Sequence, residues 1–438
     1  MRVLVIGGGG REHAIAHTFV RQGHEIFCLP GNGGTQEIAQ PIPDAWSDID
    51  PNNFNQLIDF VNDQNIDLTV CGPEIPLSEG IADVFERHGK RFFGPTQRAS
   101  QIESSKSWSK NFMQKYGLPT AKYVVCNDIT EAKAAIESYF HVWGGVVVKP
   151  SGLTAGKGVV VCSTTKEAED AVTSIMEEKV FGSAGKQVVI EETLDGLEVS
   201  MMVFCDGSKM VPMITSQDHK RLYDGGQGPN TGGIGAYSPT PFLSEEQMNL
   251  IERDLIERTS EGLKQEGILY KGFLYFGIML TADGPKILEY NCRFGDPEAQ
   301  AILPLLETDL ASIMIQCCEG HLNSDDIHWK NQASCSVVLV SRGYPKAFQV
   351  GYPIEGLNEI KNLEGIITYH AGTRVDSRGN LVTSGGRVMT ITAIADTLDE
   401  AIERCYRAVE KVHFQGMYFR TDIANKANCK VIEMDTKV

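Results

Sequence analysis

Arg2-Val3-Leu4-Val5-Ile6-Gly7-Gly8-Gly9-Gly10-Arg11-Glu12-His13-Ala14 opens the chain with an apolar run, four glycines and the first turn of a helical pattern. A short apolar run that feeds a helix through a tight glycine turn reads as the start of a βαβ unit. The pattern repeats outward from this point. Strands at 25–29, 68–71 and 91–93 alternate with helices near 13–22, 54–62 and 78–88. Strands joined through helices cannot be hairpin partners, so a parallel, Rossmann-like sheet is expected over the first hundred residues. The glycine turn has the outline of an anion site, because N–H groups at a helix start attract negative charge. A tight turn that binds nothing is the alternative. The dinucleotide fingerprint is absent: read as G-x-G-x-x-G, the third glycine falls on Glu12 or His13. The second strand runs into Leu29-Pro30-Gly31-Asn32 without the acid that would hold a ribose, so a redox dinucleotide is not expected.

Composition narrows the class further. A chain of 438 residues is long enough for about three domains. With 42% hydrophobic and 22% charged residues there is no case for extended disorder. The 40 basic and 57 acidic residues give a formal charge of −17, which argues against nucleic-acid or anionic-membrane binding. Any phosphate ligand must then be met by local groups. Eleven cysteines, with no C-x-x-C pair, read as reduced packing residues. Met1 leads straight into a strand, and no 18-residue apolar run follows, so a cytoplasmic protein is expected.

Gly94-Pro95-Thr96 breaks the alternation, and a helix carrying Lys106 follows. The expected division is an N-terminal α/β domain at 1–103, a central region at 104–328 and a C-terminal α+β domain at 329–438. Within the central region, strands at 123–126, 146–149, 159–162 and 187–192 with two helices suggest a small lid at about 124–194. Strands near 199–204, 210–216, 272–280 and 286–291 and a long helix over 245–265 are expected beyond it. The last unit should hold strands at 335–340, 366–369 and 388–394 and a helix over 398–412.

Four stretches carry chemistry. Gly152-Leu153-Thr154-Ala155-Gly156-Lys157-Gly158 is not a P-loop, since Gly158 stands where Ser or Thr should follow Lys. Flanking valine runs make it a hairpin tip able to close over a ligand. Lys149 ends the valine strand, and a buried ammonium needs an anionic partner, for which phosphate is the favoured candidate. Glu191 and Glu192 end another apolar strand, where a connector edge could meet an adenine and Glu198 ribose hydroxyls; a solvated turn is the competing reading. Asp218-His219-Lys220-Arg221 precedes a loop, Gly228-Pro229-Asn230-Thr231-Gly232-Gly233-Ile234-Gly235, whose N–H groups are expected to form an anion nest. Finally, Ile287-Leu288-Glu289-Tyr290-Asn291-Cys292-Arg293-Phe294-Gly295-Asp296-Pro297-Glu298 alternates a carboxylate, an amide and a guanidinium. On a strand over 286–293 these three share a face, as a metal–nucleotide site requires or as a solvated sheet surface would show. His13 and His17, an i,i+4 pair without a third ligand nearby, are expected to pack rather than bind metal.

Taken together, these stretches resemble the ATP-grasp superfamily, and within it the phosphoribosylamine–glycine ligase family, over nearly the whole chain. Gly7 to Ala14, Pro30 to Thr35, Gly72 to Leu77, Asp218 to Arg221, Pro229 to Pro239 and Asn291 to Glu298 carry the likeness in that family's order. The resemblance implies an ATP-grasp core and ATP-dependent joining of glycine to 5-phosphoribosylamine in purine biosynthesis, through a glycyl phosphate. It implies ATP contacts at Lys106, Lys149, Gly156, Lys157, Gly158, Glu191, Glu192, Leu194 and Glu198, and Mg²⁺ or Mn²⁺ on Glu289 and Asn291. Substrate contacts are expected at Gly9, Gly10, Asn32, Gly33, Glu74, Asp218, Lys220, Asn230, Thr231, Gly232, Gly233 and Arg293. Arg293, Lys149 and Asp296 are the expected catalytic groups, with Asp218 or Asp296 accepting the amine proton. Residues 276–278 are apolar where many superfamily members place a second metal-binding acid. A monomer without fused later-pathway activities is expected. Rival readings are a carboxylase on the same scaffold and a nucleotide sensor without chemistry.

Overall fold

The strand Arg2–Gly7 lies at the centre of a four-stranded parallel sheet, between Glu25–Pro30 and Leu68–Cys71, with Phe92–Phe93 at the edge. Val3, Leu4 and Val5 are fully buried, as a central parallel strand covered on both faces must be. The computed structural model describes residues 1–154 and 156–425. Helix Gly10–Arg21 starts three residues earlier than its apolar pattern suggests. The helix expected over 78–88 is split into Glu74–Ser78 and Ile81–Arg87, because Gly80 between them has a φ of +88°.

The central sheet is antiparallel, in the order Met210–Pro212, Leu197–Asp206, Lys271–Thr281, Gly284–Asn291. It packs against the N-terminal sheet through shared apolar residues: the rings of Phe93 and Phe273 are 4.6 Å apart, and those of Phe273 and Phe294 4.5 Å. Burial of such aromatic surface ties the two sheets into one body. The 245–265 helix runs as Glu245–Leu250, a π-helical stretch Ile251–Glu257, and Arg258–Gln265.

The lid is a separate four-stranded antiparallel sheet, Tyr123–Cys126, Val188–Glu192, Val146–Pro150 and Val160–Cys162, with helices Ile129–Trp143 and Thr165–Met176. Its own core contains Val146, Val148, Val188 and Ile190. Strand alternation then turns Val147, Lys149, Val189 and Glu191 to the opposite face.

The C-terminal sheet reaches beyond the unit expected at 329–438. Its order is Gln217–Asp218, Gly235–Ser238, Ala333–Ser341, Arg387–Ala395, Ile366–His370, so two of its strands come from the middle of the chain. Gly235 pairs with Val337, which draws the glycine-rich loop onto this sheet. The loop also holds a small hairpin, Arg221–Tyr223 with Gln227–Asn230, not foreseen from sequence. Residues 426–438 of the expected C-terminal domain lie outside the described residues. Nine of the ten described cysteines are buried and all ten are free thiols, consistent with packing residues. No described helix is long and apolar enough to cross a membrane.

Candidate active site

A cavity of about 600 Å³ is lined by Val147, Lys149 and Glu191 from the lid and by Tyr275, Met279, Glu289 and Asn291 from the central sheet. This is the size of a small-molecule site. Nine Lys and Arg side chains and nine Asp and Glu side chains line it. The wall is thus balanced where the whole chain is strongly acidic, which supplies the local positive groups that a phosphate ligand needs.

On the lid side, Lys149 Nζ lies 2.9 Å from Glu191 Oε2, and Lys110 Nζ lies 3.0 Å from the same oxygen. Burial alone would raise the Glu191 carboxyl, but the two ammoniums hold it below the ordinary range. Burial pushes Lys110 down to about 8, with Glu191 opposing the shift. One carboxylate facing two buried lysines leaves net positive charge. Lys106 starts helix Lys106–Lys115 and donates from Nζ to the Gly152 carbonyl at 3.1 Å, tying the helix to the base of the glycine hairpin. That hairpin is real: Val148 pairs with Val160. Gly156, at a φ of +74°, lines the cavity; Lys157 and Gly158 do not, and Ala155 lies outside the described residues. Glu192, Leu194 and Glu198 line the cavity, with Glu192 Oε1 accepting the Lys122 N–H at 2.9 Å.

On the central sheet, Glu289 pairs across with Gly277 and Asn291 with Tyr275. Ile278 pairs with Ile287, so Leu288 is the extra residue of a bulge, a device that re-aims side chains beside active sites. Glu289 and Asn291 share a face, as expected. Arg293 does not belong to the strand, which ends at Asn291. The chain bends after it, and Arg293 reaches the cavity between Glu74 at 3.5 Å and Glu103 at 3.4 Å. Burial raises Glu103 to about 7, against the pull of Arg293. Lys220 stands 3.3 Å from Glu198 and 3.8 Å from Glu289. Burial would raise Glu289, but Lys220, Lys149 and Lys106 keep it below the usual carboxylate range.

The donor set suits one divalent cation. An ionised carboxylate and an amide oxygen on one strand face match the partial coordination typical of Mg²⁺ held together with phosphate oxygens. Gly277 opposite Glu289 supplies no second acid, and no cluster of three or more acidic, histidine or cysteine ligands occurs among the described residues. An all-protein metal cage is therefore not built here.

One sequence expectation needs correction. The glycine-rich loop is no anion nest. The Thr231 N–H donates to the Lys220 carbonyl, Gly232 to Tyr344 Oη, Gly233 to Thr231 Oγ1 and Ile234 to the His219 carbonyl. Its glycines serve close approach instead: a Cβ on Gly233 would lie 2.3 Å from Pro297 Cδ and 2.8 Å from Asp218 Oδ1. Gly233 itself does not line the cavity, whereas Asn230, Thr231 and Gly232 do. In the opening glycine turn the Gly9 N–H donates to Glu12 Oε2 at 2.6 Å. Gly9, Gly10, Asn32 and Gly33 do not line the cavity. Asn32 is spent on structure: Nδ2 donates to the His370 carbonyl at 2.8 Å, and Oδ1 accepts from the N–H groups of Gly34 and Thr35. His13 is likewise built in, its Nδ1 accepting the His370 N–H at 2.8 Å.

Asp218, Lys220 and Asp296 line the cavity. Burial and the neighbouring Glu298 raise Asp218 well above the ordinary range. Burial also disfavours charge on Asp296, but Arg387 and Arg11 hold it below that range. Sequence reading missed Arg11, Glu103, Lys110, Glu298 and Arg387, all of which line the cavity. Glu298 stood inside the quoted motif, and Glu103 and Lys110 flank Lys106, so proximity to recognised positions was the available signal. Nothing local marks Arg387.

Known proteins match this arrangement domain by domain. Three family models of phosphoribosylglycinamide synthetase match in order: the N domain at residues 1–103, the ATP-grasp (A) domain at 104–299 and the C domain at 334–426. The phosphoribosylamine–glycine ligase of Halalkalibacterium halodurans is 43% identical over 429 residues, covering 98% of this chain and 97% of its own. The chain belongs to the phosphoribosylglycinamide synthetase family. The solved phosphoribosylamine–glycine ligase of Thermotoga maritima is a similar synthetase structure, with a TM-score of 0.82 at 32% identity, covering 97% of this chain and all of its own. The trifunctional purine biosynthetic protein adenosine-3 of Gallus gallus is 46% identical over 430 residues. The match covers 97% of this chain and 42% of that protein. The biotin carboxylase domain of Hydrogenobacter thermophilus 2-oxoglutarate carboxylase, at 18% identity and a TM-score of 0.72, shares the fold.

Proposed function

We propose that the cavity joins glycine to 5-phosphoribosylamine while ATP becomes ADP and phosphate. Phosphoribosylamine–glycine ligase activity in purine biosynthesis is the activity of the family to which the chain belongs. The observation that carries the reading to this site is the facing of Lys149, Lys110 and Lys106 against Glu289, Asn291 and Arg293 across one cavity.

The chemistry follows from the groups present. A glycine carboxylate oxygen attacks the γ-phosphorus, the bond to the β-phosphate oxygen breaks, and ADP leaves. The amine nitrogen then attacks the acyl carbon, the carbon–oxygen bond to phosphate breaks, and phosphate leaves with the electron pair as the nitrogen loses a proton. No Ser or Cys nucleophile is required, and catalysis rests on positioning and fixed charge. Lys106, Lys149 and Gly156 hold ATP phosphates beneath the hairpin, and Glu192, Leu194 and Glu198 border the adenosine. Glu289 and Asn291 would hold one divalent cation, Mg²⁺ or Mn²⁺, which would supply neutralisation of phosphate charge when bound. Arg293, held by Glu74 and Glu103, presents a planar donor to the transferring phosphoryl group. Asp218 and Asp296 are the two candidates for the proton acceptor, the first raised by burial and Glu298, the second held low by Arg387 and Arg11.

In this reading residues 1–103 bring phosphoribosylamine, 104–328 with the 124–194 lid bring ATP, and 329–438 close the site. The enzyme acts as a cytoplasmic monomer. The test is ADP release with phosphoribosylamine generated in place, with and without glycine. Release that requires both substrates is expected; release indifferent to glycine would overturn the reading and favour a carboxylase-like use of the same fold.

A further inference from the structure

We propose that Arg387 and Tyr344, both from the C-terminal part of the chain, are positioning residues of the ligation site that act through Gly232 and Asp296. The inference rests on the functional reading above. Arg387 begins strand Arg387–Ala395 and enters the cavity wall. One of its terminal nitrogens donates to the carbonyls of Gly232 and Asp296, the latter at 2.7 Å, and the other donates to Asp296 Oδ2 at 2.9 Å. Tyr344 Oη accepts the Gly232 N–H at 3.0 Å. Both backbone groups of Gly232 are therefore held by side chains from the C-terminal part, and the same guanidinium holds the turn at Asp296.

The residue between the two clamps is a glycine with little room beside it. A Cβ at position 232 would lie 3.2 Å from the Arg387 guanidinium carbon and 3.3 Å from Tyr344 Oη, so each side chain would have to give by a few tenths of an ångström. A rigid guanidinium shared among three oxygens on two segments sets the spacing of those segments. The segments matter because Thr231, Gly232 and Asp296 line the cavity, and Gly233 packs against Asp218 and Pro297. None of these contacts involves Lys106 or Lys149, and the loop meets the glycine hairpin only at its edge, where Asn230 Nδ2 donates to the Val159 carbonyl at 3.4 Å. Losing the clamp should therefore misplace acceptor-side groups more than the lysines that meet the ATP phosphates. A misplacement of about 1 Å costs on the order of 100-fold in rate.

The experiment compares Arg387→Met, Arg387→Lys and Tyr344→Phe in the full chain by ADP release with both substrates. Arg387→Met is expected to lower kcat by about 10- to 100-fold with KM for ATP within about twofold, and added guanidinium is expected to restore part of the rate. Arg387→Lys should lie between Met and wild type. Tyr344→Phe should cost less, and the double variant less than the product of the two losses, because both side chains hold one peptide unit. A kcat for Arg387→Met close to wild type overturns the proposal. So does a loss that guanidinium does not repair and that is matched by a rise in KM for ATP, the mark of a merely structural role. Should the wild type turn over without glycine, the functional reading falls, and the same variants judge the clamp on that glycine-independent turnover.

Discussion

Replacing Glu191 by Gln keeps the side-chain volume and removes the one carboxylate that neutralises Lys110 and Lys149, at 3.0 and 2.9 Å. The cost splits into two parts with different pH behaviour. Lys110 titrates at about 8 in the folded chain against an ordinary 10.5. At pH 7 its bound proton contributes about 1.4 kcal/mol relative to the neutral amine, from 1.36 kcal/mol per pH unit. Without Glu191 the amine loses what held it up and becomes neutral, so that contribution vanishes. Lys149 loses a charged hydrogen bond, worth about 1.5–3 kcal/mol. The sum, about 3–4.5 kcal/mol at pH 7, falls in the range for breaking a buried ion pair. By pH 9 wild-type Lys110 is itself mostly neutral, so only the Lys149 part, about 1.5–3 kcal/mol, remains. With an unfolding entropy near 2.1 cal/mol/K per residue, the chain would lose about 3–5 °C in Tm at pH 7 and about 2–3 °C at pH 9. Calorimetry on wild type and variant at both pH values checks this. A Tm penalty that is constant or grows from pH 7 to pH 9 would refute the assignment of Lys110 as the group that gives up its proton.

Arg293→Lys keeps the charge but loses the planar fork, and should lower kcat by about 100- to 1,000-fold while KM for ATP moves little; steady-state ADP release reads both, and an unchanged kcat refutes the role. Glu103 has a folded pKa near 7 against an ordinary 4.5, so its contribution to stability is complete below pH 4.5 and lost as pH rises through 7. Glu103→Gln should therefore gain on wild type by up to about 3 kcal/mol between pH 5 and pH 8 in denaturant titrations, and a gap that stays flat with pH counts against it. Gly233→Ala, at a φ of +106° and facing Pro297 Cδ and Asp218 Oδ1, should cost more than 10-fold in kcat, or fail to fold. Gly226→Ala, at a φ of +69° with open space around it, should cost only about 1–2 kcal/mol of backbone strain in a thermal melt. Equal effects of the two would remove the close-approach argument.

Much of the fold is legible locally, and the reasons are particular. The 3–6 run is apolar at every position because its strand is covered on both faces. Val146-Val147-Val148-Lys149 announces a lid strand because its ammonium could only be tolerated beside an anion, and Glu191 proves to be part of that answer. The alternation of Glu289 and Asn291 survives in the structure because the bulge falls at Leu288, before both of them. Arg293 lies past the strand end, where period-two reasoning no longer applies, and its place between Glu74 and Glu103 depends on residues about 190 or more positions away in sequence.

The glycine loops mark the limit of local reading. A glycine records that something comes close, without recording what. At Gly9 the neighbour is Glu12, and at Gly232 it is Arg387 and Tyr344, so N–H groups that composition offered to a ligand are used by the protein itself. Sequence alone thus determined the parallel N-terminal sheet, the lid hairpin, the Glu289–Asn291 pair and the family, since each rests on period, turn chemistry or residue order along one short stretch. Tertiary structure alone decided the joining of 235–238 to the C-terminal sheet, the two lysines on Glu191 and the clamp at Gly232. Those arrangements bring together residues 40 to 155 positions apart, and their energies come from burial and charge pairing that exist only once the sheets have packed.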